Sequence, residues 1–185
     1  MSDKNYYKAT EKTLYSFSAL KMSLERLKIE LDYKIAEKEK IESEIDDYNI
    51  SAATTGKVLG NDISSSVENK VIKIDSLKRY LPKLEVEIML KESRFKKEEL
   101  KVSAISEAIN TLDLREREII TEYYVNNRSI REISKKINMA QSPIFKTKKA
   151  AVKKISINLF GIDALDEQIN KLIEEKEDKN EIKKG

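Results

Sequence analysis

Two side chains that are common in catalytic and metal sites are missing from this sequence, which contains no cysteine and no histidine. Disulfides, thiolate nucleophiles, Cys/His zinc sites and imidazole acid–base catalysis are therefore excluded. Glycine and proline are scarce, with four and two residues, and 37% of the chain is charged. A β-sandwich or barrel would contain more turn residues and fewer charges, so an all-α fold is predicted.

Long apolar runs are missing as well. No stretch approaches the roughly 18 apolar residues of a membrane span, and the N-terminal MSDKNYYKAT contains no apolar signal region. We expect a cytoplasmic protein that does not enter membranes. Its carboxylates have salt-bridge spacing, with no glycine-rich phosphate loop or metal-binding group beside them, so neither an enzyme nor a cofactor is expected.

The positive charge of the chain is concentrated in one region. Residues 114 to 160 contain eleven Lys and Arg against four Glu, whereas residues 1 to 113 contain twenty basic against twenty-one acidic residues and residues 161 to 185 contain five against eight. From Ile133 to Ile162 there are seven lysines and no acidic residue. This pattern indicates a surface that faces an anion.

Residues 1–110 are predicted to form a long antiparallel coiled-coil hairpin. Apolar residues three or four apart predict one helix over residues 4 to 48, a glycine-containing loop over about 49–66, and a second helix from 67 to 112 with regular heptads. Pro82 is either a kink within one helix or the first turn of a new one. The seam positions are Phe17, Leu20, Leu24, Leu27, Leu31, Ile41, Ile45 and Tyr48, and then Ile74, Leu77, Leu81, Leu84, Ile88, Phe95, Val102, Ile105, Ile109 and Leu112.

A two-helix hairpin has little core of its own, so a homo-oligomer formed through the coiled coil is a natural expectation. Charged residues interrupt the seam, however, and these could set the register of the two helices instead. The interrupting residues are Lys34, Lys38, Lys91 and Glu98.

Residues 111–160 have the spacing of a helix-turn-helix domain. Asp113 with Glu116, and Ser129 with Glu132, have capping-box spacing, which predicts helices over about 114 to 125 and over IREISKKI. The first of these helices should bury Ile119, Ile120, Tyr123 and Tyr124. Ser134 is small enough for a close helix crossing, and Asn138 tolerates the left-handed backbone that a tight turn requires.

The third helix of this domain is predicted to begin with Ser142 as its cap and Pro143 in its first position. Ile144, Ala151 and Ile155 share its inward face, and Lys148 lies at the edge of that face and is expected to extend outward. The remaining side chains face DNA, where Gln and Ser contact base edges, Phe145 meets a thymine methyl and lysines contact phosphates. The predicted DNA-binding residues are Arg128, Ser129, Arg131, Gln141, Ser142, Phe145, Lys146, Lys148, Lys149 and Lys153.

These motifs resemble sigma-70 region 4. LxxxEREII, SIREISKKI and NMAQSPIFKTKKAAVKKI, within residues 110 to 158, match the three helices of that module. With the long helical half before them, they resemble the phage late transcriptional regulators of the ArpU/RinA type. The resemblance implies an activator that binds double-stranded DNA at a promoter and engages host RNA polymerase, with Gln141, Ser142, Phe145 and Lys146 reading the DNA.

The chain departs from that pattern in three ways: Ser134 replaces the usual Ala, Asn138 replaces the usual Gly, and lysines stand where arginines are common. Lysine reads guanine less specifically than the arginine fork, which weakens the expectation of strict sequence specificity. Two other functions remain open. A phage small terminase subunit also combines a helix-turn-helix with a coiled coil, and a helical scaffold could present the basic helix to an acidic protein partner.

Residues 161–185 are predicted to form a short amphipathic helix and a charged tail. Gly161 should end the preceding helix and Asp163 should cap the next one. The helix either packs on the rest of the protein or, as a second reading, acts as an autoinhibitory or partner-docking segment whose acidic residues lie near the basic helix. Those acidic residues are Asp163, Asp166 and Glu167.

Overall fold

The structure, a computed structural model, describes residues 5–55 and 65–182, and all of its regular elements are helical. The helices are α1 (Tyr6–Thr55), α2 (Ser65–Asn110), α3 (Leu114–Ile120), α4 (Ile130–Lys136), α5 (Gln141–Phe160) and α6 (Ile162–Ile182). A π-helical turn over Thr121–Val125 extends α3. The all-α prediction is confirmed. None of the described helices has the length and apolar character needed to cross a lipid bilayer.

The two long helices differ from the prediction at the loop between them. Residues 49–55 continue α1 and residues 65 and 66 already belong to α2, so the predicted loop is too long. Ser51–Thr55 contains two alanines and no helix breaker, and the first glycine of the region is Gly56, which explains why the helix continues. The rest of the predicted loop, residues 56–64, lies outside the described residues.

Pro82 lies inside α2, which continues through it as one helix. The alternative of a new helix after Leu81 is therefore wrong. Proline removes one helical N–H donor and its ring crowds the preceding turn, at a cost of about 3 kcal/mol. Pro82 is exposed, and the buried Leu84 and Ile88 follow it on the apolar face, so seam burial can offset this cost.

The chain divides into two compact units, one made of Met1–Met22 with Glu99–Gly185 and the other of Ser23–Glu98. Each long helix therefore contributes to both units, and the boundary predicted near residue 110 does not coincide with this division.

The unit Ser23–Glu98 is an antiparallel helical pair. Its core contains Leu31, Ile41, Ile45, Ile74, Leu84 and Ile88. Cross-helix ion pairs join Lys91 Nζ to Glu30 (2.8 Å), Lys34 Nζ to Glu87 (3.2 Å) and Lys38 Nζ to Glu85 (3.1 Å). The residue numbers of the paired positions rise along one helix and fall along the other, so the two helices are antiparallel. The three lysines that interrupt the seam thus form ion pairs across the two helices. Ion pairs with exposed partners add little stability, but they favour one register of the two helices over others.

The other unit combines the start of α1 and the end of α2 with the C-terminal helices. Its main core contains Leu14 and Phe17 from α1, Ile105, Ala108, Ile109 and Leu112 from or just after α2, Ile120 and Tyr124 from α3 and its π turn, and Ala151, Val152 and Ile155 from α5. α3 with its π turn and α5 therefore share a hydrophobic core with the start of α1 and the end of α2, whereas α4 packs in a separate small cluster. Sequence periodicity identified most of these residues, but not Leu14, Ala108 and Val152, and not their assembly into one core.

α6 packs against α1 and α5 within this unit. Ala164 is fully buried, Gln168 Nε2 donates to the Lys153 carbonyl at 3.1 Å, and Glu167 accepts from the Tyr6 N–H at 2.7 Å. Gly161, at φ 66°, ends α5 as predicted. The prediction that Asp163 caps α6 is wrong, because α6 begins at Ile162 and Asp163 lies in its first turn. α6 is also longer than predicted and extends into the charged tail, whose Glu and Lys residues are good helix formers.

Candidate nucleic-acid interface

Two capping boxes define where the helices of the candidate interface begin. The Asp113 carboxylate accepts from the Glu116 N–H at 2.8 Å and Glu116 accepts from the Asp113 N–H at 3.3 Å, which starts α3. Ser129 Oγ accepts from the Glu132 N–H at 3.3 Å and Glu132 accepts from the Ser129 N–H at 2.8 Å, which starts α4. Both predicted boxes are confirmed. Backbone hydrogen bonds hold the pKa values of Asp113 and Glu132 below their usual range.

The connection from α3 to α4 contains a left-handed residue. Asn127 has φ 53°, and the Arg128 N–H donates to the Glu122 carbonyl at 2.9 Å. The sequence located this turn correctly at Asn126 to Arg128. It did not identify which residue would be left-handed, because both asparagines tolerate that conformation.

The turn between α4 and α5 is closed by Ser134 and Met139. Ser134 Oγ donates to the Met139 carbonyl at 2.6 Å, and the Met139 N–H donates to the Ser134 carbonyl at 3.1 Å. Asn138 has φ 50°, as predicted for this position. A serine at 134 therefore does more than fill a small space: its hydroxyl fixes the turn that sets α4 against α5.

A small apolar cluster joins the three helices of the motif. Ile119 of α3, Ile133 of α4 and Ile144 of α5 are fully buried against one another. Partly buried residues surround them, namely Tyr123, Ile130, Ile137 and Met139. Full burial of an isoleucine contributes about 1.5 to 3 kcal/mol, so this cluster fixes the packing of the motif at its turn side.

α5 begins two residues earlier than predicted. Its N-cap is Ala140, in an extended conformation and without a side-chain cap, so the assignment of Ser142 as cap is wrong and Pro143 is the third helical residue. A proline is tolerated there because the first N–H groups of a helix have no intrahelical partner. As a consequence, Gln141 and Ser142 lie in the first turn with exposed side chains, at the helix end where N–H groups attract anions.

The outward face of α5 is a polar and basic stripe. Gln141, Ser142, Phe145, Lys146 and Lys149 are exposed, and Lys153 is half-buried beside α6. With 100° per residue, these six positions cover about 140° of the helix circumference. Phe145 is 56% exposed, which is unusual for an aromatic residue on a helix that also has a buried face. We name these six residues the α5 stripe.

Lys148 does not belong to the α5 stripe. The prediction that it extends outward is wrong, because only 8% of its side chain is exposed. Its Nζ lies 3.4 Å from Glu11 Oε1, 3.3 Å from the Tyr124 hydroxyl and 4.2 Å from the centroid of the Tyr123 ring. The acidic residue that attracts it is 137 positions away in the sequence and was not visible to an argument based on helix periodicity.

The environment of Lys148 is a buried polar cluster between α1, the π turn and α5. The Tyr124 hydroxyl donates to Glu11 Oε1 at 2.7 Å, and burial followed by that carboxylate raises the pKa of Tyr124 far above its usual value. Burial and Glu11 also raise the pKa of Tyr7 to about 12. Lysine in this setting binds α1 to α5, and no phosphate can reach it without displacing these partners.

The three predicted residues around the start of α4 differ in what they can contact. Arg128 Nε lies 3.0 Å from Glu122 Oε2, but that oxygen has no aligned hydrogen bond, so the contact is an ion pair with imperfect geometry. Ser129 Oγ donates to Glu132 at 2.8 Å. Arg131 is exposed and has no carboxylate within salt-bridge distance among the described side chains. Of the three, only Arg131 is thus free to bind an external anion.

Two acidic residues of the motif, Glu116 and Glu122, have basic partners within the motif. Lys154 Nζ lies 2.6 Å from Glu116, and Lys136 Nζ lies 2.5 Å from Glu122. The hydrogen bond from Lys136 is the largest effect that lowers the pKa of Glu122. Lys136 and Lys154 are therefore paired. Seven cations within residues 114 to 160 have no carboxylate at salt-bridge distance in the described part of the chain: Arg115, Arg117, Arg131, Lys135, Lys146, Lys149 and Lys153.

Comparisons of the chain with protein-family models, with curated protein sequences and with solved structures found no significant match. The resemblance to sigma-70 region 4 and to ArpU/RinA-type regulators therefore depends on the motifs alone and stays a prediction. What the surface can bind has to be inferred from its geometry and charge.

Proposed function

We propose that this chain is a DNA-binding transcriptional regulator whose helix α5 enters the major groove of promoter DNA. The observation that supports this most is the α5 stripe, an exposed helical face without acidic residues on a helix held by a tight turn. In a helix-turn-helix protein the second helix of the motif reads base edges from its N-terminal residues while the first crosses the backbone. α5 and α4 have the corresponding order here.

The residues of the stripe divide into two roles. Gln141, Ser142 and Phe145 lie in the first turns of α5, where side chains approach base edges, and an exposed phenyl ring can contact a thymine methyl. Lys149 and Lys153 lie further along the same face and bind phosphates, with Lys146 between the two groups. Arg131 on α4 adds a cation where that helix would cross the backbone.

The number of phosphate contacts is smaller than the sequence alone suggested. Lys148 is buried and Arg128 is paired, so three to five of the free cations contact phosphates. Since log K falls with log [salt] by about 0.9 per neutralised phosphate, we expect a slope of roughly −3 to −4.5.

Host RNA polymerase is the protein partner that the resemblance implies, and it belongs to the proposal on that ground alone. Regulation by promoter binding is favoured over a scaffold role by the uncharged residues at the start of α5. An acidic protein partner would need only charge, whereas the exposed Gln141, Ser142 and Phe145 at the start of α5 suit base contacts.

The proposal is tested by selecting binding sites from a random duplex library and measuring affinity over a range of salt concentrations. Lys149→Met should reduce the salt slope by about 0.9, whereas Lys28→Met, an exposed lysine on α1, should leave it unchanged. Gln141→Ala with Phe145→Ala should change the selected motif. A protein that retards no duplex at low salt would contradict the proposal, and an unchanged motif in the double variant would remove base reading from α5.

A further inference from the structure

α6 has an apolar face that is not covered by the described residues. Ile162, Leu165, Ile169, Leu172 and Ile173 are between 40% and 73% exposed. The buried contacts of α6, through Ala164 and Gln168, lie on another side of the helix. Five large apolar side chains exposed within twelve residues form a patch of several hundred Å², which in proteins marks an interaction surface.

The spacing of this face indicates what covers it. Ile162, Leu165, Ile169 and Leu172 are three, four and three residues apart, which are the a, d, a and d positions of two heptads. Isoleucine at a with leucine at d is the combination that favours two parallel strands. We propose that α6 is a dimerisation helix, which pairs with α6 of a second copy of this chain as a short parallel coiled coil.

The charges beside the seam are compatible with this pairing. In a parallel coil, position g of one chain lies beside position e of the next heptad of its partner. Here Gly161 would lie beside Asp166 of the second copy, and Gln168 beside Ile173. No like charges meet at these positions, so the four apolar layers of a parallel pair in register have no electrostatic penalty from these flanking residues.

The pairing should be weak on its own. Lys176 and Lys179 occupy the next a and d positions in the sequence, so the apolar seam has only four layers. Four apolar layers make an interface at the low end of the size range for specific association, so we expect a weak dimer with a dissociation constant on the order of micromolar or higher. The helix is already formed and packed on α5, however, so association does not have to order it.

The helical hairpin offers a less suitable surface. Its most exposed apolar residues on α1 include Met22, Ile29 and Tyr33, each 69% exposed, which are seven and four residues apart. The seam position between Met22 and Ile29 is occupied by the charged Arg26, so these residues do not make a continuous apolar a/d seam. The dimer proposed here therefore does not use the flanks of the coiled-coil hairpin, and it does not depend on DNA binding.

Sedimentation of the full chain over a hundredfold dilution series tests the proposal. Ile162→Lys should raise the dimer dissociation constant by about tenfold or more, because a charge replaces one of four apolar layers. Ile162 is 73% exposed, so the variant should fold, as its circular dichroism and melting temperature will show. Ile29→Lys, at a similarly exposed position on α1, should dimerise like the wild type. A chain that is monomeric throughout, or a dimer weakened only by Ile29→Lys, would overturn the proposal.

The orientation of the pair has its own test. Because the chain contains no cysteine, Ile162→Cys introduces one thiol per copy. In a parallel pair the two a-position thiols face each other and should form an interchain disulfide on mild oxidation. Asn170→Cys, an exposed position outside the seam, should cross-link far less. Equal cross-linking of both variants would contradict the parallel arrangement.

Discussion

The ion pair between Lys148 and Glu11 makes a measurable prediction about how α1 holds α5. Glu11→Gln keeps the size of the side chain and a hydrogen-bonding oxygen for the Tyr124 hydroxyl, but it removes the negative charge. Lys148, with 8% of its side chain exposed, then has no counter-ion. Breaking a fully buried pair from one side costs about 3 to 5 kcal/mol. Glu11 is 28% exposed and the ring of Tyr123 also attracts the ammonium, so we expect about 2 kcal/mol.

Urea unfolding followed by circular dichroism measures this loss. Lys148→Met should cost less than Glu11→Gln, because Glu11 keeps its hydrogen bond from Tyr124 at 2.7 Å and its access to water. The double variant should lose less stability than the two single variants together, by about 1 to 2 kcal/mol, since the two residues are in direct contact. Glu25→Gln, an exposed carboxylate on the same helix, is the matched control and should change the stability very little.

A DNA-binding measurement tests the burial of Lys148 independently. Because Lys148 is buried, Lys148→Met should leave the salt slope of DNA binding unchanged, whereas Lys149→Met should reduce it. An unchanged urea midpoint for Glu11→Gln, together with a slope reduced by about 0.9 for Lys148→Met, would refute the reasoning. That pair of results would mean that the ammonium faces the phosphates.

Three further predictions concern the motif and its support. Asn138→Ala should lower the free energy of unfolding by about 1 kcal/mol in urea, and Asn138→Gly should not, because only glycine adopts φ 50° without strain. The lowered pKa of Glu122 adds stability that is present above the unfolded-state pKa near 4.5 and lost as the pH falls through the folded-state value. Melting temperatures below pH 4.5 should therefore fall less steeply for Glu122→Gln than for the wild type. A fragment of residues 111–160 should show little cooperative melting, since it lacks all the core residues from α1 and from α2.

The features that periodicity and capping encode were predictable from the sequence. Asp113 and Ser129 start their helices as expected because a capping box uses residues only three positions apart. The buried positions Ile144, Ala151 and Ile155 follow from the 3.6-residue period of a single helix. Local chemistry was also sufficient for the left-handed Asn138, since few other residue types adopt that backbone readily.

The predictions that failed depended on residues distant in sequence or on competition between neighbours. Lys148 lies at the edge of an apolar stripe, where a lysine usually extends into water, and only Glu11 and the tyrosines around it reverse that preference. The start of α5 was misplaced by two residues because Ser142 and Pro143 together resemble a cap and a first turn. The extended backbone of Ala140 takes the cap position instead, although alanine is a poor cap.

The burial of Lys148 and the earlier start of α5 both affect the composition and the position of the α5 stripe. Because Lys148 is buried, the α5 stripe has one cation fewer than predicted. The buried Lys148 instead joins α5 to Glu11 of α1, a helix outside the motif, and to Tyr124. The earlier start of α5 places Gln141 and Ser142 in its first turn, where their side chains and N–H groups face outward together. Contacts from α1 thus help to fix the direction in which α5 presents the residues that are proposed to contact bases, and we expect a change that loosens Glu11 to alter the position of the α5 stripe without altering any residue in it.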